Sequence, residues 1–166
     1  MIRWEAHACL PLHPQADFAP IARFHAAGVH YVSINIGMDM NPVSQVMAVI
    51  AGFRATIAAQ PERYVMADTA QDIRAAAAAG KLAIGFDLEG AMPLLEQPDM
   101  VAVYRDLGVR QMHLAYNRNN ITNPDAAMTP MVSRSAPCRQ MNPSCSPAAW
   151  GPPRAPAHLA YCRQSP

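Results

Sequence analysis

Apolar positions along the chain follow two periods. Short apolar runs of strand length alternate with longer segments whose apolar residues recur three and four apart. The clearest run lies in Lys81–Ala91, KLAIGFDLEGA, where Leu82, Ala83, Ile84 and Phe86 stand between Gly80-Lys81 and Gly90. It predicts a buried strand over residues 82–88. Period-two geometry puts Asp87 and Glu89 on one face and Leu88 on the other. Carboxylates at the end of a core strand need a metal, a cation or water. An Arg partner for one and solvent for the other would meet the same need, so spacing alone leaves both readings open.

Other runs end in the same way. Residues 3–7 predict a first strand with Glu5, His7 and Cys9 on one face. Residues 31–36, YVSINI, predict a second, closed by Gly37-Met38-Asp39. Residues 110–116 predict a later one, followed by Asn117, Arg118, Asn119 and Asn120. Polar groups just past the carboxyl ends of apolar strands occupy the place where parallel α/β folds build their sites.

The intervening segments read as helices. Residues 17–27 carry Ile21, Phe24 and Ala27 on one face, with Asp17 as N-cap and Gly28 beyond the end. Asn41-Pro42 predicts a helix start, and Val43, Val46, Met47, Ile50, Phe53 and Ile57 make a stripe that Pro61 ends. Tyr64–Ala67 is a short extended piece. Thr69 and Asp72 form a capping-box variant before a helix that stops at Gly80. Pro98-Asp99 opens a last helix with Met100, Val101, Val103, Tyr104 and Leu107. Strand and helix in alternation predict an α/β fold with parallel strands and right-handed crossovers.

Composition narrows the function classes. A formal net charge of +1 across 166 residues carries none of the basic excess of a nucleic-acid binder. No apolar run reaches the roughly 20 residues of a membrane span. The opening MIRWEAH lacks the apolar core of a signal peptide, so a cytoplasmic location is expected. The cysteines, Cys9, Cys138, Cys145 and Cys162, support neither a disulfide framework nor a zinc knuckle.

The pattern breaks near Pro130. All 12 acidic residues lie at or before Asp125, whereas residues 131–166 hold 7 of the 16 prolines, 3 of the 4 cysteines and 4 Arg. Residues 1–130 therefore read as one α/β domain and residues 131–166 as a separate tail. A basic Pro-rich partner-binding tail, a disordered segment and a stretch foreign to the fold, as after a frame change, all fit that composition.

WEAHACLPL, YVSINIG, GKLAIGFDLEGA, LGVRQMHLAYNRNN and MTP together resemble the membrane dipeptidase family, the renal dipeptidase-like peptidase family M19. The resemblance covers residues 2–130. It implies the first half of a (β/α)8 TIM barrel of the metallo-dependent hydrolase type, with two zinc ions at the strand ends and a small peptide as substrate. His7 falls on the family's first-strand His and Glu89 on the Glu that bridges both metals. The implied reaction is hydrolysis of a dipeptide amide by metal-bound hydroxide.

This chain departs from the family in four places. Cys9 stands where the family has the Asp of its His-x-Asp motif, and a thiolate is an alternative zinc ligand. Glu5 stands where an Asp is usual. Tyr116 replaces a substrate-contacting His, and Asn117 beside it reads as a turn residue or a substrate contact. His113, three residues earlier, is expected on the opposite strand face. Finally, a barrel needs about 250 residues, and the later metal His residues have no match after Pro130. The expectations are metal ligands His7, Cys9 and Glu89, substrate contacts Tyr116 and Asn117, and Zn2+ as cofactor. A catalytically inactive fragment or interaction module, or a different metal-dependent amide hydrolase, fits the same residues. Self-association or a homo-oligomer is expected from open strand edges.

Overall fold

The computed structural model describes residues 1–116, which lie within the first of the two units into which the chain divides, Met1–Met128. The tail from residue 131 and Asn117, Asn119 and Asn120 are outside the described residues. Elements follow in the order β1 (Trp4–Ala8), α1 (Ala19–Ala26), β2 (Tyr31–Met38), α2 (Val43–Ala58), β3 (Tyr64–Met66), α3 (Ala70–Ala78), β4 (Leu82–Glu89), α4 (Met100–Asp106) and β5 (Val109–His113). A 3-10 turn, Met92–Leu94, leads from β4 toward α4.

Every strand pair is parallel: β1 with β2, β2 with β4, β3 with β4, and β4 with β5. β4 is the hub. Its first residues, Leu82 to Ile84, pair with β3, and its last, Phe86 to Glu89, pair with β5. β2 takes the other edge along nearly the whole strand. All residues of β2 and β4 are buried, as expected of parallel strands covered on both faces.

The two faces carry different cores. Val32, Ile34 and Ile36 of β2 and Leu82, Ile84, Phe86 and Leu88 of β4 join a large cluster with Phe18, Ile21, Phe53 and Tyr104. That face is covered by α1, α2 and α4. The alternate residues Tyr31 and Ala83 meet Ala67 and Ala76 in a second cluster, with Ile73 packed against it. Thus α3 packs on the opposite face, at the amino end of the sheet. The polar residues Ser33, Asn35, Asp87 and Glu89 continue that face toward the carboxyl end.

Local chemistry explains most element ends. The Thr69 hydroxyl accepts from Asp72 N at 3.2 Å, and the Asp72 carboxylate accepts from Thr69 N at 2.8 Å, a complete capping box. Gly80, at φ 68°, takes the left-handed turn that ends this segment. At α2 the expected Asn41 cap is not made. Pro42 itself is the N-cap, in extended conformation, and Asn41 Oδ1 accepts from Met38 N at 2.8 Å instead. At α1 Asp17 accepts from Ala19 N at 2.8 Å, with Phe18 at the cap position. In α4 Tyr104 is fully buried while Val101 and Val103 face outward. Among the described residues no helix is long and apolar enough to cross a membrane.

Candidate metal centre

The site forms where the carboxyl ends of β1, β2, β4 and β5 meet. Along β1, Glu5 and His7 are half-buried, as is Cys9 just past its end, while Ala8 and Leu10 join the large core. The pairing register places Asn35 beside Asp87, Asp87 beside Gln111, and Glu89 beside His113. Irregularities interrupt the β1–β2 ladder between Glu5 and Ala8 and the β2–β4 ladder between Asn35 and Met38. Such shifts re-aim side chains at strand ends and are common next to sites.

Asp87 is the most enclosed polar group, with no exposed surface. Its Oδ2 accepts from the Ser33 hydroxyl at 2.7 Å and its Oδ1 lies 2.8 Å from His7 Nδ1. The Nδ1 contact fixes the ring, because a carboxylate only accepts and so requires a proton on that nitrogen. His7 Nε2 is thereby turned toward Cys9 Sγ and Glu89 Oε1, each 3.4 Å away. Glu89 Oε2 faces Asn35 Nδ2 at 3.3 Å.

Among the described residues neither carboxylate pairs with an Arg. The ion pairs among the described residues are His7–Asp87, His7–Glu89 and Arg110–Asp68. The reading with one Arg-paired and one solvated carboxylate is therefore overturned: Asp87 and Glu89 are both buried and share one imidazole. Charge states respond accordingly. The hydrogen bond to Asp87, reinforced by Cys9, pushes His7 up to about 11 against the effect of burial. Burial pushes Glu89 up to about 7, helped by the Asp87 charge and opposed by His7. The raised value favours a proton on Nε2, the nitrogen that both Cys9 Sγ and Glu89 Oε1 face.

Two of the separations here match those between donors to one ion. Donors about 2.0–2.3 Å from one tetrahedral ion stand about 3.3–3.8 Å apart. The His7–Cys9 and His7–Glu89 separations fall in that range. The Asp87–His7 contact is the carboxylate–histidine pairing that orients imidazole ligands. Among the described residues no group of three or more His, Cys, Asp and Glu side chains is already arranged to hold a metal ion. An ion would have to replace the His7 proton and draw the three donors in.

The structure adds residues that the strand pattern did not single out. Ser33 and Asn35 alternate with Val32, Ile34 and Ile36, and that alternation was the available signal. Asp39 ties three strand ends: its N–H donates to Glu89 O at 3.0 Å, and its carboxylate accepts from Met92 N at 3.0 Å and Tyr116 N at 3.1 Å. His113 corrects an expectation. It lies on the Glu89 side of β5, its ring 6.0 Å from that of His7, and Gln111 Nε2 lies 3.2 Å from its Nε2. The strand ends at His113, so Tyr116 is not on it and the opposite-face argument does not apply. Tyr116 is buried.

Residues 12–139 match the profile of the membrane dipeptidase family (peptidase family M19). The match omits His7 and Cys9, includes Glu89, and runs nine residues past Pro130. An amidohydrolase from Pseudomonas aeruginosa is similar in structure, with a TM-score of 0.63 and 18% identity over 72% of this chain and 35% of that one. The probable dipeptidase PvdM from the same organism gives 0.60 and 18%, over 72% of this chain and 36% of its own. No curated protein sequence matches significantly. This chain spans about a third of the length of those solved chains, and its parallel sheet is a partial barrel of their fold. The family match covers most of the sequence, so the chain belongs to the membrane dipeptidase family, peptidase family M19.

Proposed function

We propose that the chain carries the first-strand half of a zinc-dependent, dipeptidase-like hydrolase site. One observation carries the reading: Asp87 holds His7 Nδ1, so that Nε2 faces both Cys9 and Glu89. His7, Cys9 and Glu89 would hold the ion, and a small peptide would be the substrate. When bound, zinc supplies acidified water and polarises the scissile carbonyl. The chain's own residues prepare that place. Asp87 and Ser33 fix the imidazole, and Asn35 fixes the carboxylate. Asp39 holds the ends of β2, β4 and β5 together and fastens the backbone at Tyr116, a proposed substrate contact along with Asn117.

The described donors serve one ion, and a two-metal clamp needs ligands for both cations. The chain assayed alone is therefore expected to bind zinc without turning over dipeptides. The test is zinc affinity by chelator competition for the chain and for Glu89→Gln, with amine release from dipeptides measured beside it. Weaker binding by the variant supports the reading. Equal binding by both removes Glu89 from the site. Zinc-dependent turnover abolished by Glu89→Gln would show that the described donors suffice.

A further inference from the structure

The contacts of His7 have a second chemical meaning that needs no ion. Asp87, with no exposed surface, takes His7 Nδ1 at 2.8 Å, and its other oxygen is held by the Ser33 hydroxyl at 2.7 Å. The opposite ring nitrogen, Nε2, lies 3.4 Å from Cys9 Sγ. A carboxylate on one nitrogen of an imidazole and a nucleophile on the other is the arrangement of hydrolytic triads, which recur on unrelated folds with Ser or Cys as the attacking group.

The sulfur is placed to react. Cys9 is a free cysteine just past the end of β1, half-buried rather than enclosed. Its chain neighbours Ala8 and Leu10 join the large core, so alternation turns Cys9 to the other side, where His7 stands. The His7 side chain keeps 18% of its surface exposed, which leaves ring and sulfur open to a small molecule together. Structural cysteines are sealed in apolar surroundings and inert, whereas reactive ones are partly exposed beside a His.

We propose that, in the metal-free chain, Cys9 is a nucleophile that takes acyl groups from small esters, with His7 as its proton carrier. The sulfur adds to the acyl carbon, the ester C–O bond breaks, and a thioester forms on Cys9. The thiol hydrogen passes by way of His7 Nε2 to the departing alkoxide, which leaves as the alcohol. Esters suit a thiol here because an alkoxide is expelled far more readily than an amide anion. This goes beyond the metal reading above: Cys9 reacts when no ion holds it.

The test treats the full chain, freed of metal by a chelator, with p-nitrophenyl acetate. Nitrophenolate release is followed, and peptide mass spectrometry locates the acetyl group among the four cysteines. Cys9 should be acetylated first, and faster in the folded chain than in the same chain in urea, a comparison that needs no variant. His7→Gln, checked for folding by circular dichroism, should slow Cys9 by about 100-fold or more, the usual contribution of a positioned proton carrier. Acetylation of Cys9 no faster in the folded chain than in urea overturns the inference, as does an unchanged rate in folded His7→Gln. Zinc separates the two readings. If the ion takes Cys9 as a ligand, saturating zinc should block acetylation. Acetylation that zinc leaves unblocked counts against Cys9 as a ligand and leaves its reactivity standing, whereas tight zinc binding beside an unreactive Cys9 overturns this inference alone.

Discussion

Asp87 and His7 stand 80 residues apart in sequence and 2.8 Å apart in space, one fully buried and the other near the opening of the site. The relationship joins β1 to β4 across β2 and sets which nitrogen of His7 faces outward. Asp87→Ala leaves the Ser33 hydroxyl and His7 Nδ1–H without their acceptor, and breaking a buried pair costs about 3–5 kcal/mol. Asp87→Asn keeps one acceptor and should cost less, about 1–3 kcal/mol. Both variants should bind zinc about 10- to 100-fold more weakly. Urea midpoints and chelator competition measure the two effects. Unchanged zinc affinity in Asp87→Asn would remove Asp87 as the group that orients His7.

Stability of the metal-free chain should fall as pH rises. Burial lifts Glu89 from 4.5 to about 7, and the Asp87 hydrogen bond lifts His7 from 6.5 to about 11. For both groups the folded pKa exceeds the unfolded one, so the folded chain holds more protons between the two values. The contribution is complete below the unfolded pKa and is lost as pH passes through the folded one. Glu89 therefore acts between about 4.5 and 7, and His7 between 6.5 and about 11. Urea midpoints of chelator-treated protein should decline through both windows. Glu89→Gln should flatten the lower window and Asp87→Asn the upper one. Zinc binding should also release protons and tighten with pH, because the ion displaces the His7 proton; a midpoint that rises from acid to alkaline pH contradicts the whole scheme.

Much of this was legible in the sequence because parallel strands announce themselves. YVSINIGM and LAIGFDLE are buried throughout, and their apolar runs marked them as core. Periodicity could not say which side of the sheet a helix covers. The face of α3 depends on Tyr31 and Ala83 finding Ala67 and Ala76, a contact between distant segments. Nor could it count past a strand end. His113 was assigned by parity from Tyr116, but extended structure stops at His113 and parity stops with it. Asn41 read as a helix cap by type, yet its Oδ1 accepts from Met38 N instead. Ser33 and Asn35 were visible as polar positions in an apolar strand. Their role emerged only with Asp87 and Glu89 opposite them.

The large core should respond independently of the site. Phe53 is fully buried, with Phe18 edge-on at 5.2 Å and Phe86 at 6.3 Å between ring centroids. Phe53→Ala removes a ring from all these contacts and should cost about 3–5 kcal/mol. At temperatures where the variant stays folded, its zinc affinity should match that of the unaltered chain. A loss below about 1 kcal/mol would mean that the aromatic cluster does not hold α2 against the sheet.

Gly90 sets how closely the strand ends approach. It follows Glu89 directly and sits at φ 117°, where a side chain is strained. A Cβ added there would strike the Asp39 carboxylate. That carboxylate is already fixed by Met92 N and Tyr116 N, while Gly90 N donates to His113 O at 3.1 Å. Gly90→Ala therefore combines backbone strain of about 1–3 kcal/mol with displacement of Asp39. Gly80→Ala is the control, since Gly80 also has a positive φ but a Cβ there would meet nothing within 4 Å. It should show the strain alone. If the second part of the Gly90 effect is the collision, Asp39→Ala should relieve it, and the double variant should be more stable than the sum of the single losses predicts. Neighbouring residues that interact this way couple by about 0.5–3 kcal/mol, and sites that do not interact add. Chemical denaturation of Gly80→Ala, Gly90→Ala, Asp39→Ala and the Asp39/Gly90 double variant gives that coupling directly. Strict additivity at Asp39 and Gly90, with equal losses at Gly80 and Gly90, would show that Gly90 serves only its own backbone and not the meeting of β2, β4 and β5.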